Sequence, residues 1–370
     1  MKSNFLIYGA YGYTGQLTAR LAVERGLKPI LAGRDASKLE ALAGRLSLES
    51  QVFDLQDDGA VDRALSGVGA VLHCAGPFAH TYRQMAAGCL RTGTHYLDVS
   101  GEIEVYDGLY KMDAEARGSG VLLLPGIGFD VVPTDCLAAR LKRRMPSAGH
   151  LALAIGSVGA ARVSRGTTKT FIEGLGRHGA VRENGVLTAV PHLSKSRVIT
   201  FGEGPVEVSL VTVADVFSAY HSTGIPNIET YVAFPSAVRT ILKVIRHFRP
   251  VLSRPSVQNV IARLVDVLPS GPTDEDRIRT RTLVWAEVKD EDGNVAISRA
   301  RLPEAYTFTA LASLAAIERV LTGDAPVGYQ TPSTAFGPEF VLDIEGVVVE
   351  DDGTRVAACR ERTTRADRLT

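Results

Sequence analysis

NFLIYGAYGYTGQLTARLAVERGLKPILAGR, residues 4–34, opens the chain and decides its fold. The apolar run NFLIY (4–8) reads as a strand that stops at Gly9. A helical stretch from Gly15 to Arg25 follows, with Leu17, Leu21 and Ala22 on one side, and PILAGR makes a second strand ending at Gly33. Between the first strand and the helix lies GAYGYTG (9–15). Without a Cβ, Gly9 can make the tight turn, Gly12 lets the backbone approach a pyrophosphate, and Gly15 lets the helix pack close to the sheet. The helix N-terminus then offers unpaired N–H groups and the positive end of its dipole to phosphates. Strand, glycine loop, helix and second strand in this order predict a dinucleotide-binding βαβ unit. Its candidate ligands are Gly9, Tyr11, Gly12, Tyr13, Thr14 and Gly15. A glycine-rich turn without a ligand is the plain alternative.

The choice of dinucleotide turns on the end of the second strand. NAD binders carry Asp or Glu there, about 20 residues beyond the loop, to accept from the ribose 2′-OH. This chain has Gly33-Arg34. An arginine can form a forked, charge-assisted pair with a 2′-phosphate and stack on adenine, which predicts NADP(H). Ser37 and Lys38 follow at a helix start, and Asp35 caps that helix; Asp54 suits either an adenine neighbour or a turn.

Working outward, strands and helices alternate to about residue 128. QVFDL (51–55), AVLHCAG (70–76), HYLDVSG (95–101) and VLLLPGIG (121–128) read as strands; Ser37–Leu46, Val61–Leu65, Tyr82–Thr92 and Tyr106–Gly118 read as helices. That alternation predicts a Rossmann-type parallel sheet whose strands, covered on both faces, are near-continuous apolar runs. In such sheets the ligand lies across the carboxyl ends of the strands. Ala75, Gly76, Pro77 and Phe78 therefore join the cofactor candidates as the wall of a nicotinamide pocket, beside the strand ends carrying Asp98 and Asp130.

Near residue 150 the pattern changes. EVSLVTV (207–213), TRTLVWAEV (280–288) and VAISRARL (295–302) are strands, the last two joined at Asp292-Gly293, a hairpin turn signal. This predicts an α+β second domain with a mostly antiparallel sheet. The expected division is 1–135 for the NAD(P)-binding domain, with a returning segment at about 305–345, and 136–304 for a substrate and oligomerisation domain. Tyr306–Leu321 is the returning helix, and VVVEDDGTRVAA a closing hairpin.

Bulk numbers bound the function. The 370 residues suit two domains, and 45% apolar with 22% charged residues is ordinary for a soluble globular protein. Lys plus Arg (41) balances Asp plus Glu (41), so no overall field attracts nucleic acid. No apolar run approaches the ~18–20 residues that span a bilayer. Cys74, Cys89, Cys136 and Cys359 are scattered, which suits reduced thiols in a cytoplasmic protein and no metal knuckle. There is no nucleophile elbow, HExxH or paired cysteine, so hydrolase and zinc-enzyme readings fall away and no metal ligand is assigned.

GAYGYTG, LAGR, CAGPF, YLDVSGE and PGIGFDVVPTD together resemble the saccharopine dehydrogenase-like oxidoreductases, above all the branch of trans-acting enoyl reductases. The likeness runs on through SRGTTKTFIEGL (164–175), AYHSTGIPNIETY (219–231) and GYQTPSTAFGPEF (328–340), and so covers nearly the whole chain. It implies NAD(P)H-dependent reduction and a second domain whose sheet forms a contact in a homodimer.

Hydride transfer needs a positioned nicotinamide and one proton. The expected proton carriers are Tyr220 and His221, with packing and surface roles as their alternative. Ser164, Arg165, Gly166 and Thr167 read as a polar loop, able to meet a substrate phosphate or carboxylate or to stand as a solvated turn. Residues 237–263 carry Arg239, Lys243, Arg246, His247, Arg249, Arg254 and Arg263 among Val, Ile and Leu; this basic amphipathic stretch reads as a solvated helix face, an acidic carrier-protein dock or a membrane-surface contact. The expected function is NADP(H)-dependent reduction of a C=C or C=N bond in a small, acyl-type or lipid- or carrier-linked substrate. A non-catalytic NADP(H)-binding redox sensor or scaffold is the rival.

Overall fold

The structure is a computed structural model that describes residues 4–159, 162–175, 178–202, 204–245, 248, 252, 254–265, 267, 269–351 and 354–357. The first half of the chain alternates strand and helix. The strands are β1 (Phe5–Tyr8), β2 (Ile30–Gly33), β3 (Ser50–Val52), β4 (Ala70–His73), β5 (His95–Asp98) and β6 (Leu122–Leu124). The helices are α1 (Tyr13–Glu24), α2 (Ala36–Leu46), α3 (Asp58–Leu65), α4 (Tyr82–Thr92), α5 (Ile103–Tyr110), α6 (Asp113–Gly118) and α7 (Val132–Arg144). All residues of β1, β2 and β4 are buried, as expected of strands covered on both faces. Each fully buried Leu or Ile there contributes about 1.5–3 kcal/mol relative to exposure.

The second half is built on β7 (His150–Val158), β8 (Gly179–Glu183), β9 (Val186–Val190), β10 (Ser196–Thr200), β11 (Pro205–Leu210), β12 (Asn227–Ala233), β13 (Arg281–Lys289) and β14 (Val295–Leu302). Its helices are α8 (Arg165–Leu175), α9 (Asp215–Thr223), α10 (Ser236–Ile245), α11 (Pro255–Val265) and α12 (Asp274–Arg279). After α13 (Ala305–Leu321), β15 (Gly328–Tyr329) and α14 (Pro332–Phe336), the chain ends in the β16 (Val348–Asp351) and β17 (Thr354–Ala357) hairpin.

The first sheet runs β15-β6-β5-β4-β1-β2-β3, every pair parallel. The second runs β10-β11-β12-β7-β13-β14-β16-β17, with β8 attached to β12 and β9 to β8. It is antiparallel except where β12 lies parallel to β7. This is the Rossmann-type sheet and mostly antiparallel partner expected from the sequence. The β13–β14 hairpin pairs Thr282 with Leu302 through Lys289 with Val295.

Several boundaries differ from expectation. The helix expected at Tyr106–Gly118 is two, α5 and α6, separated at Lys111-Met112. The sixth strand stops at Leu124, because Gly126 adopts φ 66° and its N–H turns onto the Asp98 carboxylate at 2.8 Å. Residues 165–167, expected in a loop, begin α8: the Thr167 N–H donates to Ser164 Oγ at 3.2 Å. The basic stretch forms α10 and α11, while Arg246, His247 and Arg249 lie outside the described residues, as does Cys359.

One continuous core joins the two sheets through α7 and α13, with Ile7 and Leu122 of the first, Leu153 and Val284 of the second, and Leu137, Phe308 and Ala312 between them. Helix α13 also braces the end of β6. Thr309 Oγ1 accepts the Phe129 N–H at 3.0 Å, and Ser313 Oγ donates to the Ile127 carbonyl at 2.9 Å. No described helix is long and apolar enough to cross a membrane.

Candidate active site

The glycine loop takes the form its spacing predicts. Gly9 has φ 78°, and a Cβ on it would lie 2.9 Å from the Ala75 nitrogen at the end of β4. A Cβ on Gly15 would strike the Gly9 carbonyl oxygen at 2.5 Å and Ala10 Cα at 2.8 Å. On Gly12 a Cβ meets only the Gly9 carbonyl oxygen, at 3.1 Å, so the space over the start of α1 is open. That helix has no side-chain cap and no acidic residue in its first turn. Its orphan N–H groups and dipole are therefore left for a phosphate, and the cradle fits a pyrophosphate.

At the end of β2 the Tyr11 ring lies over Gly33, where a Cβ would come within 2.5 Å of its edge. The Lys38 ammonium sits 5.7 Å from the same ring centre and pairs with Asp35 at 2.7 Å. Asp35 also accepts the Lys38 N–H and so caps α2. Arg34 is exposed and has no ion pair among the described residues, which leaves its guanidinium available to a 2′-phosphate. Asp54 accepts the Gln56 N–H at 2.9 Å, a turn role.

Tyr13 and Thr14 make further contacts at the start of α1. The Tyr13 phenol donates to the Pro272 carbonyl at 2.6 Å and accepts from Arg277 at 2.8 Å. Its ring meets Tyr306 edge-on at 4.9 Å. Tyr13 thus ties the phosphate loop to the second half of the chain. Thr14 uses its carbonyl to hold the Thr18 hydroxyl. The Tyr306 hydroxyl in turn accepts the Ser164 N–H at 2.7 Å and lies 2.8 Å from Thr167 Oγ1, so α8 starts beside the loop.

Ala75, Gly76, Pro77 and Phe78 follow β4 at the carboxyl edge of the first sheet. The Ala75 carbonyl accepts from Thr81, and the Phe78 ring stands edge-on to His73 at 5.5 Å. The residue that sequence reasoning passed over is Glu102. Its carboxylate accepts the Phe78 N–H and the Gly101 N–H, both at 3.0 Å, and so bridges the ends of β4 and β5. Burial, opposed by those two N–H groups and helped by the charges of Asp98 and Asp130, pushes its pKa up to about 7. Asp130 stands next to it: a Cβ on Gly101 would lie 3.2 Å from Asp130 Oδ2. The Asp130 side chain is exposed to solvent, so its carboxylate carries its charge at neutral pH beside Glu102. Asp98, by contrast, braces the loop. Its two oxygens accept the Tyr96 and Ser100 hydroxyls and the Ser100 and Gly126 N–H groups, at 2.6–2.9 Å.

Tyr220 and His221 are not brought to this edge. Both lie on α9, where successive residues point about 100° apart. Tyr220 stacks under the Arg182 guanidinium at 4.0 Å. His221 packs against Tyr110 at 4.4 Å and Phe217 at 4.5 Å, and burial, helped by Arg182, lowers its pKa. Tyr110 ends α5, which starts beside Glu102 and carries the chain about 12 Å away along its axis. Tyr220 and His221 therefore stand on the flank of the sheet, away from Glu102, with His221 lining a cavity beside Tyr329, Gln330 and Thr331.

Residues 5–124 match the family model described as the saccharopine dehydrogenase NADP binding domain, so the cofactor of this domain is NADP(H). The trans-acting enoyl reductase of Mycobacterium leprae is 32% identical over 152 residues, 38% of this chain and 36% of that protein. The saccharopine dehydrogenase-like oxidoreductase of Mus musculus is 26% identical over 205 residues, 49% of this chain and 48% of that protein. The matches thus span less than half the length of these two relatives. Apo saccharopine dehydrogenase (L-Glu forming) from Saccharomyces cerevisiae shares the fold, with TM-score 0.66 and 14% identity over 96% of this chain and 100% of that one. The resemblance read from the motifs is borne out.

Proposed function

We propose that this chain is an NADP(H)-dependent oxidoreductase that reduces a C=C or C=N bond of a small, acyl-type or lipid- or carrier-linked substrate. The observation that carries the reading is Glu102, a carboxyl group at the carboxyl edge of the parallel sheet with a pKa pushed up to about 7. When bound, reduced NADP supplies a hydride. The chain's own part is to position the reactants and deliver one proton. With its pKa raised to about 7, Glu102 can hold that proton near neutral pH. Each oxygen accepts one N–H and keeps a further lone pair, so the O–H remains free to donate. The proton goes to the atom left electron-rich by hydride addition, and solvent restores it.

The second carboxyl group bears on substrate class. Asp130 beside Glu102 repels a dicarboxylate and favours a neutral electrophile, such as an enoyl thioester or a neutral imine. The name of the Mycobacterium leprae relative, trans-acting enoyl reductase, supports the first of these. The test is NADPH consumption with a panel of enoyl thioesters and imines. Turnover of an enoyl thioester is expected, reduced about 100-fold in Glu102→Gln at unchanged NADPH affinity. Tight NADPH binding with no turnover on either panel would make the chain a redox sensor or scaffold instead.

A further inference from the structure

Helices α10 and α11 expose apolar side chains at helical spacing. On α10, Val238, Ile241 and Val244 are exposed while Leu242 is buried. On and just beyond α11, Val260, Leu264 and Val267 are exposed while Val265 is buried. Ile241 keeps 56% and Leu264 61% of its surface open, too much for ordinary core-facing positions. Each helix thus seats one side on the protein and turns an apolar stripe outward. Contiguous exposure of this kind marks an interaction surface.

Charge identifies what it meets. Residues 236–267 contain six Lys and Arg against the single acid Asp266. Arg239 is used internally, pairing with Glu207 at 2.8 Å. Lys243, Arg254 and Arg263 have no carboxylate partner among the described residues. A second copy of the chain would bring these cations to their own counterparts across a two-fold axis, which is repulsive. An acidic carrier protein would answer the cations and leave the apolar stripes bare. An anionic lipid surface answers both: acyl chains take the stripes and headgroups the cations.

We infer that α10 and α11 lie in the interface of an anionic membrane. The location matters for chemistry. Helix α11 packs on α8, with Gln258 Nε2 3.5 Å from the Ile172 carbonyl, and α8 begins at the Ser164–Thr167 turn that holds Tyr306 beside the phosphate loop. A membrane on this face therefore stands at one end of α8, whose other end lies beside the phosphate loop, so a lipid-linked substrate would approach the cofactor domain along that helix. The docking itself does not depend on the reaction proposed above.

The test is co-sedimentation of the full chain with vesicles of phosphatidylcholine alone and of phosphatidylcholine mixed with phosphatidylglycerol. Binding to the anionic vesicles is expected to be about tenfold tighter or more and to weaken with salt. The double variant Ile241→Asp/Leu264→Asp and the charge variant Lys243→Glu/Arg263→Glu should each lose about tenfold. Val295→Asp, an exposed apolar site on β14, should bind like the parent. NADPH fluorescence reports that every variant is folded. Absence of vesicle binding, equal binding to both vesicle types, or equal loss in Val295→Asp overturns the inference. So does a dimer, seen by light scattering, that the double variant dissociates. So does capture by an acidic carrier protein that Lys243→Glu/Arg263→Glu abolishes while Ile241→Asp/Leu264→Asp leaves it intact.

Discussion

The Tyr13 hydroxyl lies 2.6 Å from the Pro272 carbonyl oxygen, so the phosphate loop of the first sheet is bonded directly to a segment 259 residues further on. Gly271 makes this approach possible: a Cβ there would sit 2.6 Å from the Tyr13 ring. The loop is held in shape by the second half of the chain as well as by its own glycines.

Tyr13→Phe should therefore act on stability and leave the cofactor largely alone. The variant keeps the ring against Tyr306 and loses the bonds to Pro272 and Arg277. A cost of about 1–2 kcal/mol is expected, visible as a lower Tm. NADPH affinity should stay within about threefold, because losing less than about 0.7 kcal/mol of binding corresponds to that factor. A large loss of NADPH binding at unchanged Tm would make the phenol a cofactor ligand instead.

Arg34→Ala should separate the two dinucleotides. The guanidinium is exposed at the end of β2 and unpaired among the described residues, so its removal costs the fold little. Losing a charge-assisted bond to a 2′-phosphate costs roughly 1.5–3 kcal/mol, about ten- to a hundredfold in NADPH affinity, with NADH binding nearly unchanged. Fluorescence titration of both cofactors checks this. Equal weakening of the two would show that Arg34 supports the loop.

Gly12→Val and Gly15→Val should fail in different ways. The Gly12 Cβ meets only one carbonyl oxygen, at 3.1 Å, so Gly12→Val should fold with modest loss while its branched side chain fills the space over the start of α1. Gly15→Val drives its Cβ into backbone atoms at 2.5 and 2.8 Å, and the helix must shift from the loop. The first variant is expected to keep its circular dichroism and melting transition but lose NADPH binding. The second should lose several degrees in Tm as well. NADPH binding retained by a folded Gly12→Val would remove the pyrophosphate from this cradle.

The phosphate loop and both sheet types were legible because their signals are local. Continuous apolar runs gave β1, β2 and β4, and the Asp292-Gly293 turn gave the β13–β14 hairpin. The acidic pair was not legible in the same way. Asp130 was visible only as a strand end, and Glu102 takes its raised pKa from burial against Phe78, Gly101, Asp98 and Asp130, neighbours that only the folded sheet edge supplies. Tyr220 and His221 misled for the converse reason. They are adjacent in sequence, but α9 sends one under Arg182 and the other against Tyr110.

Glu102 should govern both activity and stability against pH, in a direction its pKa sets. Its folded value of about 7 lies above the ordinary glutamate value of 4.5, so the folded state holds the proton more tightly than the unfolded one. Below pH 4.5 both states are protonated and Glu102 costs nothing. As pH rises from there to about 7, folding increasingly requires the proton to stay or a charge to be buried, and stability falls. Glu102→Gln should abolish that slope, so that parent and variant converge in acid and diverge towards neutrality. In turnover, kcat should decline above about pH 7 as Glu102 loses its proton, and the residual activity of Glu102→Gln should lack that limb. Denaturant melts and kcat profiles across pH 5–9 measure the two effects separately. A stability slope that vanishes in the variant while the kcat limb persists would leave Glu102 as a half-buried strut between β4 and β5 and send the search for the proton donor elsewhere along this edge.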